Sequence, residues 1–171
     1  MKKTVVAVVG SKRSGKTTTV EALISELAKR GHKIAAVKHI SEQDFTIDTR
    51  GKDTWRYARA GAKTIISMAA SEIATIERVS GNYSLRDILE RCKGHDIVFL
   101  EGFKRLVSKQ RNIPKIVVVK TANEATAALK TFEPILAFSG PFSTEAMGLK
   151  IPYVDATKSP EKLADLLKVN V

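Results

Sequence analysis

An α/β fold built on a mainly parallel sheet, with a small antiparallel β extension, is the class this sequence predicts. Two observations carry that expectation. Short apolar runs rich in β-branched residues recur along the chain, each of a length suited to a strand buried on both faces. Between them lie segments whose apolar residues repeat at helical spacing, so strand and helix alternate from the first forty residues onward. The 171 residues, 43% of them hydrophobic, suffice for one well-buried domain. No composition shift, linker or internal repeat divides them, so a single domain over residues 1–171 is expected.

Residues 5–9 form the first apolar run, which ends at Gly10. From Lys16 the pattern turns helical, with Val20, Leu23, Ile24 and Leu27 on one face and Gly31 as a C-terminal stop. Residues 34–37 read as a second buried strand, completing a βαβ unit with a right-handed crossover. Residues 39–53 are polar, follow neither periodicity, and read as a functional loop or small hairpin. A helix follows at residues 54–60, with Asp53 as its N-cap and Gly61 as its end. Residues 64–68 and 73–77 read as strands joined by a turn at Ala69-Ala70-Ser71. Ser84 caps a helix reaching residue 91, and residues 97–100 form the next buried strand, closing on Glu101-Gly102. Beyond a basic loop come a strand at 115–119, a helix at 122–129 and a strand at 135–138 ending in Ser139-Gly140. A short strand at 151–154 and a helix at 161–167, opened by Pro160, complete the pattern.

Charge and composition restrict function. The net charge of +11 favours anionic partners. Much of the excess is scattered, and with 6% aromatic residues no basic stretch interleaves with stacking rings, so nucleic acid is not the expected partner. No apolar run approaches the length of a membrane span, and the one after Met1-Lys2-Lys3 is too short for a signal peptide. The single cysteine, Cys92, excludes an internal disulfide and a multi-cysteine metal site, which fits a cytoplasmic protein. It reads as a small apolar residue near a helix end.

The segment Gly10-Ser11-Lys12-Arg13-Ser14-Gly15-Lys16-Thr17 has the pattern of a phosphate-binding P-loop. It also sits between a buried strand and an amphipathic helix, the context that the pattern requires. Gly10 and Gly15 let the backbone turn its N–H groups inward around phosphate oxygens. The helix starting near Lys16 adds its positive end. Lys16 is placed to reach the β- and γ-phosphates, and the Thr17 hydroxyl to ligate Mg²⁺, with Ser11, Ser14 and Thr18 completing the binding segment. Lys12 and Arg13 read as a solvated rim, and Lys12 is misplaced for the extra lysine of the ParA-type loop. The expected architecture is therefore a three-layer P-loop NTPase fold. Open parallel sheets gather ligands at the carboxyl ends of their strands, which makes Glu101 the second metal-side candidate. The other reading of Glu101 is an exposed turn carboxylate. Asp96 precedes the same strand and faces the opposite end.

Three segments together carry a family resemblance. They are Val9 through Thr18; Ala36-Val37-Lys38-His39 leading to Asp44-Phe45-Thr46-Ile47-Asp48 and Gly51-Lys52-Asp53-Thr54; and Phe99-Leu100-Glu101-Gly102-Phe103-Lys104. In this order and spacing, with Ile151-Pro152-Tyr153-Val154-Asp155 near the end, the chain resembles the MobB family, molybdopterin-guanine dinucleotide biosynthesis protein B. The resemblance implies a GTP-binding protein with slow GTPase activity, acting as a homodimer. It implies as partner a MobA-type guanylyltransferase, which joins GMP to molybdopterin. Gly10, Gly15, Lys16 and Thr17 would carry phosphate and Mg²⁺, with Glu101 on the metal side. Residues 38–53 would approach the γ-phosphate or a second ligand, bringing Lys38 and His39. Asp44 and Asp48 in that loop are suited to bind metal or orient water, so Asp48 joins Lys16 and Glu101 as a catalytic candidate. Family members often carry several histidines after the Lys-His pair; here only His39 stands before Ile40, and roles tied to that cluster do not carry over. The basic residues Lys104, Arg105, Lys109 and Arg111 are either a solvated connection or a receiver for molybdopterin's phosphate and dithiolene.

Two further readings stay open. A small nucleotide or metabolite kinase shares the P-loop, with residues 104–111 as an arginine-bearing lid, although no segment has the size of a usual lid. A non-enzymatic adaptor would use nucleotide only to set a partner surface. The Asn-Lys-x-Asp element that reads guanine in many GTPases is absent, and Ser139-Gly140 and Val154-Asp155 lie where a base-binding loop belongs.

Overall fold

Runs apolar at every position, such as Val6 to Val9 and Ile97 to Leu100, have no polar face to give to water and demand cover on both sides. The computed structural model describes residues 3–42, 44–79, 81 and 83–168, so Met1, Lys2 and the loop residue Gln43 lie outside the described residues. In chain order the elements are β1 (Thr4–Gly10), α1 (Lys16–Lys29), β2 (Ile34–Lys38), α2 (Asp53–Ala60), β3 (Thr64–Met68), β4 (Ile73–Glu77) and α3 (Leu85–Arg91). They continue with β5 (Ile97–Glu101), α4 (Lys104–Val107), β6 (Lys115–Val118), α5 (Ala122–Thr131), β7 (Ile135–Ser139) and α6 (Pro160–Asp165). A single turn of 3₁₀ helix, Glu145–Met147, precedes the last helix.

The chain groups into two compact units. The larger comprises residues up to His39 and from Ser84 onward; the smaller is Ile40–Tyr83. In the larger unit five strands form a parallel sheet in the order β2-β5-β1-β6-β7. One face is covered by α1 and α6, whose Val20, Leu23, Leu27 and Leu163 pack on Val6, Val8, Ile97 and Phe99. The other face packs Val9, Val98 and Leu100 against Ile88, Val107, Ala125 and Ala128 from α3, α4 and α5. Three layers result, with a mainly parallel sheet in the middle, as the sequence predicts. The smaller unit holds the antiparallel extension, β3 paired with β4, together with α2. There the guanidinium carbons of Arg50 and Arg59 lie 5.9 and 5.8 Å from the ring centroid of Trp55.

Local departures from the sequence reading have physical causes. Lys52, not Asp53, is the N-cap of α2; Asp53 lies inside the first turn and pairs with Arg56 at 3.6 Å. There its carboxylate complements the helix dipole without capping it. The strand expected at 151–154 is reduced to an isolated bridge between Phe138 and Tyr153. The basic loop opens as the helical turn α4. By contrast, Ser84 forms the expected cap as a full capping box with Asp87, and buried Cys92 is the C-cap of the same helix. Lys115 is fully buried at the start of β6, where its ammonium donates to the carbonyls of Gln110 at 2.7 Å and Glu133 at 2.6 Å. Burial pushes its pKa down. Among the described residues no helix is long and apolar enough to cross a membrane.

Leu23 has no exposed surface and sits where α1 meets the sheet. Leu23→Ala is expected to lower the unfolding free energy by about 3 kcal/mol, measured by urea denaturation. A loss below about 1 kcal/mol would show that this face collapses without it.

Candidate functional site

The phosphate-loop sequence folds as its residue types require. Gly10 ends β1 opposite Val118, and a Cβ added there would lie 2.3 Å from the Val118 carbonyl oxygen and 2.7 Å from the Ser14 hydroxyl. Glycine is thus demanded by a close backbone approach. Gly15 adopts a left-handed conformation, φ 96°, as the N-cap of α1. No side chain caps this helix and its first turn contains no acidic residue. The contrast with α3 and α5 is direct: Asp87 and Glu124 stand in their first turns, and Ser84 and Thr121 cap them. The positive end of α1 is thus left open to an anion.

Strand register assembles the rest. Glu101, the last residue of β5, lies opposite Val8 of β1 and opposite Lys38 of β2. Its side chain is 11% exposed, and its Oε1 accepts from the Thr17 hydroxyl at 2.9 Å. The Lys38 ammonium lies 3.1 Å from that same carboxylate oxygen and 3.2 Å from the Thr17 hydroxyl. A cation therefore already bridges the two hard oxygen donors assigned to Mg²⁺, and their chemistry fits that metal. Among the described residues no group of three or more His, Cys, Asp or Glu is placed to hold a metal ion. Two protein oxygens suit a cation that takes its remaining ligands from phosphate and water.

Lys16 donates to the Ser11 carbonyl at 2.6 Å. Burial pushes its pKa down; Glu101 opposes this, while Lys104, Lys38 and Lys120 reinforce it. Four lysines thus stand with two carboxylates, Glu101 and Glu124, the latter 3.8 Å from the Lys120 ammonium, and the positive excess favours a polyanion. Lys120 follows β6 and donates to the Lys12 carbonyl at 3.2 Å, while its own backbone N–H meets Glu124 at 2.8 Å. That hydrogen bond holds the Glu124 carboxyl below the usual carboxylate range. Beside the cradle lies a cavity of about 230 Å³, lined by Ser14, Gly15 and Thr18 on one side and by Ser139, Gly140 and Asp155 on another. The Thr157 hydroxyl and backbone N–H hold the Asp155 carboxyl below its usual range.

The sequence-predicted residues fall into two groups. Gly10, Ser11, Ser14, Gly15, Lys16, Thr17, Thr18, Lys38, His39, Glu101 and Lys104 all belong to the larger unit. His39 donates its N–H to the Glu101 carbonyl at 2.9 Å, and its ring meets Phe103 edge-on at 5.3 Å. Asp48 belongs to the smaller unit, where its Oδ1 accepts from the Thr49 N–H and the Thr54 hydroxyl. Asp96 lies at the opposite end of the sheet, accepting from the Lys33 N–H. Sequence reasoning missed Lys120 and Glu124. The available signal was a lysine directly after a strand and a glutamate four residues on.

Known proteins share this sequence pattern and this fold. The family model of molybdopterin guanine dinucleotide synthesis protein B, MobB, matches residues 5–139. A Methanocaldococcus jannaschii protein, provisionally named a molybdopterin-guanine dinucleotide biosynthesis adapter protein, is 39% identical over 119 residues, covering 68% of this chain and 47% of the relative. The Haemophilus influenzae molybdopterin-guanine dinucleotide biosynthesis adapter protein is 34% identical over 113 residues, covering 65% of this chain and 60% of the relative. The match thus spans about half of one relative and three fifths of the other. The crystal structure of Bacillus subtilis MobB superposes with a TM-score of 0.75 at 25% identity, over 98% of this chain and 99% of that one.

The Gly10 contact gives the site its clearest mechanical test. Gly10→Ala must push β1 away from Val118 or displace Ser14, and is expected to cost about 1–3 kcal/mol in chemical denaturation. A neutral result would mean that the strands separate freely at the loop.

Proposed function

The chain belongs to the MobB family, molybdopterin guanine dinucleotide synthesis protein B, and on that premise we propose that it binds GTP with Mg²⁺ and hydrolyses it slowly while assisting the attachment of GMP to molybdopterin. The observation that carries this reading is the convergence of Lys16, Thr17, Lys38 and Glu101 at the open end of α1. The loop N–H groups and Lys16 bind the phosphates, replacing the Ser11 carbonyl as partner of the ammonium. Thr17 and Glu101 would hold the metal, which supplies charge neutralisation on the phosphates when bound. The cavity beside Ser14 and Asp155 receives the base, where an ionised carboxylate favours the N–H donors on the edge of guanine.

Slow turnover is consistent with the carboxylates available. Glu101 is committed to Thr17 and Lys38. Asp48, the residue assigned to orient water, is engaged by Thr49 and Thr54. Neither is poised as a free general base. The adapter name of the relatives supports an accessory role beside a MobA-type guanylyltransferase. Lys104, Arg105, Lys109 and Arg111 are the residues suited to receive molybdopterin's anionic groups, although Arg111 is paired with Glu133 at 3.4 Å. A homodimer fits the smaller unit, where Ile66, Met68 and Ile73 are 59%, 76% and 63% exposed on one face of a two-stranded sheet. Such a sheet is marginal alone and offers two open edges.

GTP is expected to outcompete ATP in an equilibrium binding assay, and Lys16→Ala to weaken GTP by about 100-fold, the worth of two charge-assisted hydrogen bonds. An ATP preference, or phosphoryl transfer to an added acceptor in place of release to water, would replace this reading with a kinase. Met68→Asp is expected to shift the protein from dimer to monomer in light scattering. An unchanged mass would remove the β3–β4 face from the interface.

A further inference from the structure

We propose that Lys38 is an internal counter-ion which competes with the divalent cation for Thr17 and Glu101, then passes to the third phosphate of the bound nucleotide. One side chain would thereby distinguish triphosphate from diphosphate. The inference rests on the phosphate-binding reading of Gly10 to Thr18 and goes beyond it.

The geometry supplies each step. Glu101 is a nearly buried carboxylate, and a buried charge needs a partner. Lys38 is its register neighbour across β2 and β5, so the pairing is dictated by the backbone ladder. The same ammonium touches both oxygens that would hold the metal, at 3.1 and 3.2 Å. A divalent cation held by those oxygens would compete with the ammonium for them, because two like charges at one pair of donors repel. Lys38 must therefore yield when the metal binds. Its side chain is 55% exposed and can swing without disturbing the core. Its backbone stays fixed, because the next residue, His39, is hydrogen-bonded to the Glu101 carbonyl.

The displaced ammonium then needs an anion. Lys16 stands beside the same oxygens, and Lys104 and Lys120 add positive charge that Glu124, 3.8 Å from Lys120, offsets only in part, so the surroundings stay net positive. A γ-phosphate beside the metal offers Lys38 a charge-assisted hydrogen bond in exchange for Glu101. A diphosphate offers no such group, and Lys38 is left to water. Metal binding thus carries a penalty that only the triphosphate offsets.

The test compares wild type, Lys38→Met and Lys38→Arg. Mn²⁺ binding is followed by electron paramagnetic resonance without nucleotide, and GTP and GDP affinities are measured at saturating Mg²⁺. Lys38→Met is expected to bind Mn²⁺ about tenfold more tightly, to bind GDP as well as or better than wild type, and to bind GTP about 10–100-fold more weakly. Lys38→Arg should recover much of the GTP preference. Unchanged or weaker Mn²⁺ binding in Lys38→Met overturns the proposal, as does a parallel loss of GTP and GDP. Wild-type protein that binds neither GTP, GDP nor inorganic tripolyphosphate sinks the phosphate reading as well. Wild-type binding with Lys38→Met indistinguishable from it sinks the exchange alone.

Discussion

Everything at the carboxyl edge of the sheet depends on the register in which β5 lies between β1 and β2. Glu101 stands opposite Val8 on one side and Lys38 on the other. A slip of one residue would present Leu100 or Gly102 there and turn the carboxylate to the other face. Because β5 is buried at every position, no polar alternation selects that register. It is held by its ends: Thr4 donates to the Asp96 carbonyl at one, and Gly102 to the Val8 carbonyl at the other. The neighbouring pair is pinned by the Gly10 and Val118 approach, where there is room for no side chain.

On that frame the electrostatics are asymmetric by construction. Two helices of the larger unit, α3 and α5, carry an acid in the first turn and a hydroxyl cap, which together neutralise the N-terminus. The α1 helix carries neither and gathers lysines in their place. Such an arrangement is costly alone, since burial already disfavours the charge on Lys16. A bound polyphosphate would relieve the repulsion among the lysines, so the strain would reside in the protein and its relief in the ligand.

The fold was largely legible because its local signals agree: apolar runs for strands, helical spacing for α1, and the Ser84 box for α3. The loop was legible because its chemistry demands particular residues at fixed spacing. What could not be read was pairing across the chain. Lys38 and Glu101 are each legible as candidates, but continuous apolar strands give no register, so their shared contact with Thr17 is not. The cavity joins Ser14 to Ser139 and Asp155; the sequence places the latter two where a base-binding loop belongs, but gives no measure of how near they come to Ser14. Asp53 is not the cap of α2 because propensity fixes a helix start only to within a residue or two, and Lys52 takes the position. The strand at 151–154 failed because it contributes one bridge rather than a ladder.

The smaller unit, Ile40–Tyr83, leaves the chain after His39 and returns it at Ser84. The β2–β5 ladder on either side is complete without it. Closing a loop twice as long costs only about 0.6 kcal/mol, so the sheet is nearly indifferent to what is inserted there. The insertion's length is therefore free of the restraint that the sheet geometry places on the residues at its edge. Restraint and freedom are thus set side by side in one chain: fixed geometry where Gly10, Lys38 and Glu101 meet, and a tolerant insertion beside it.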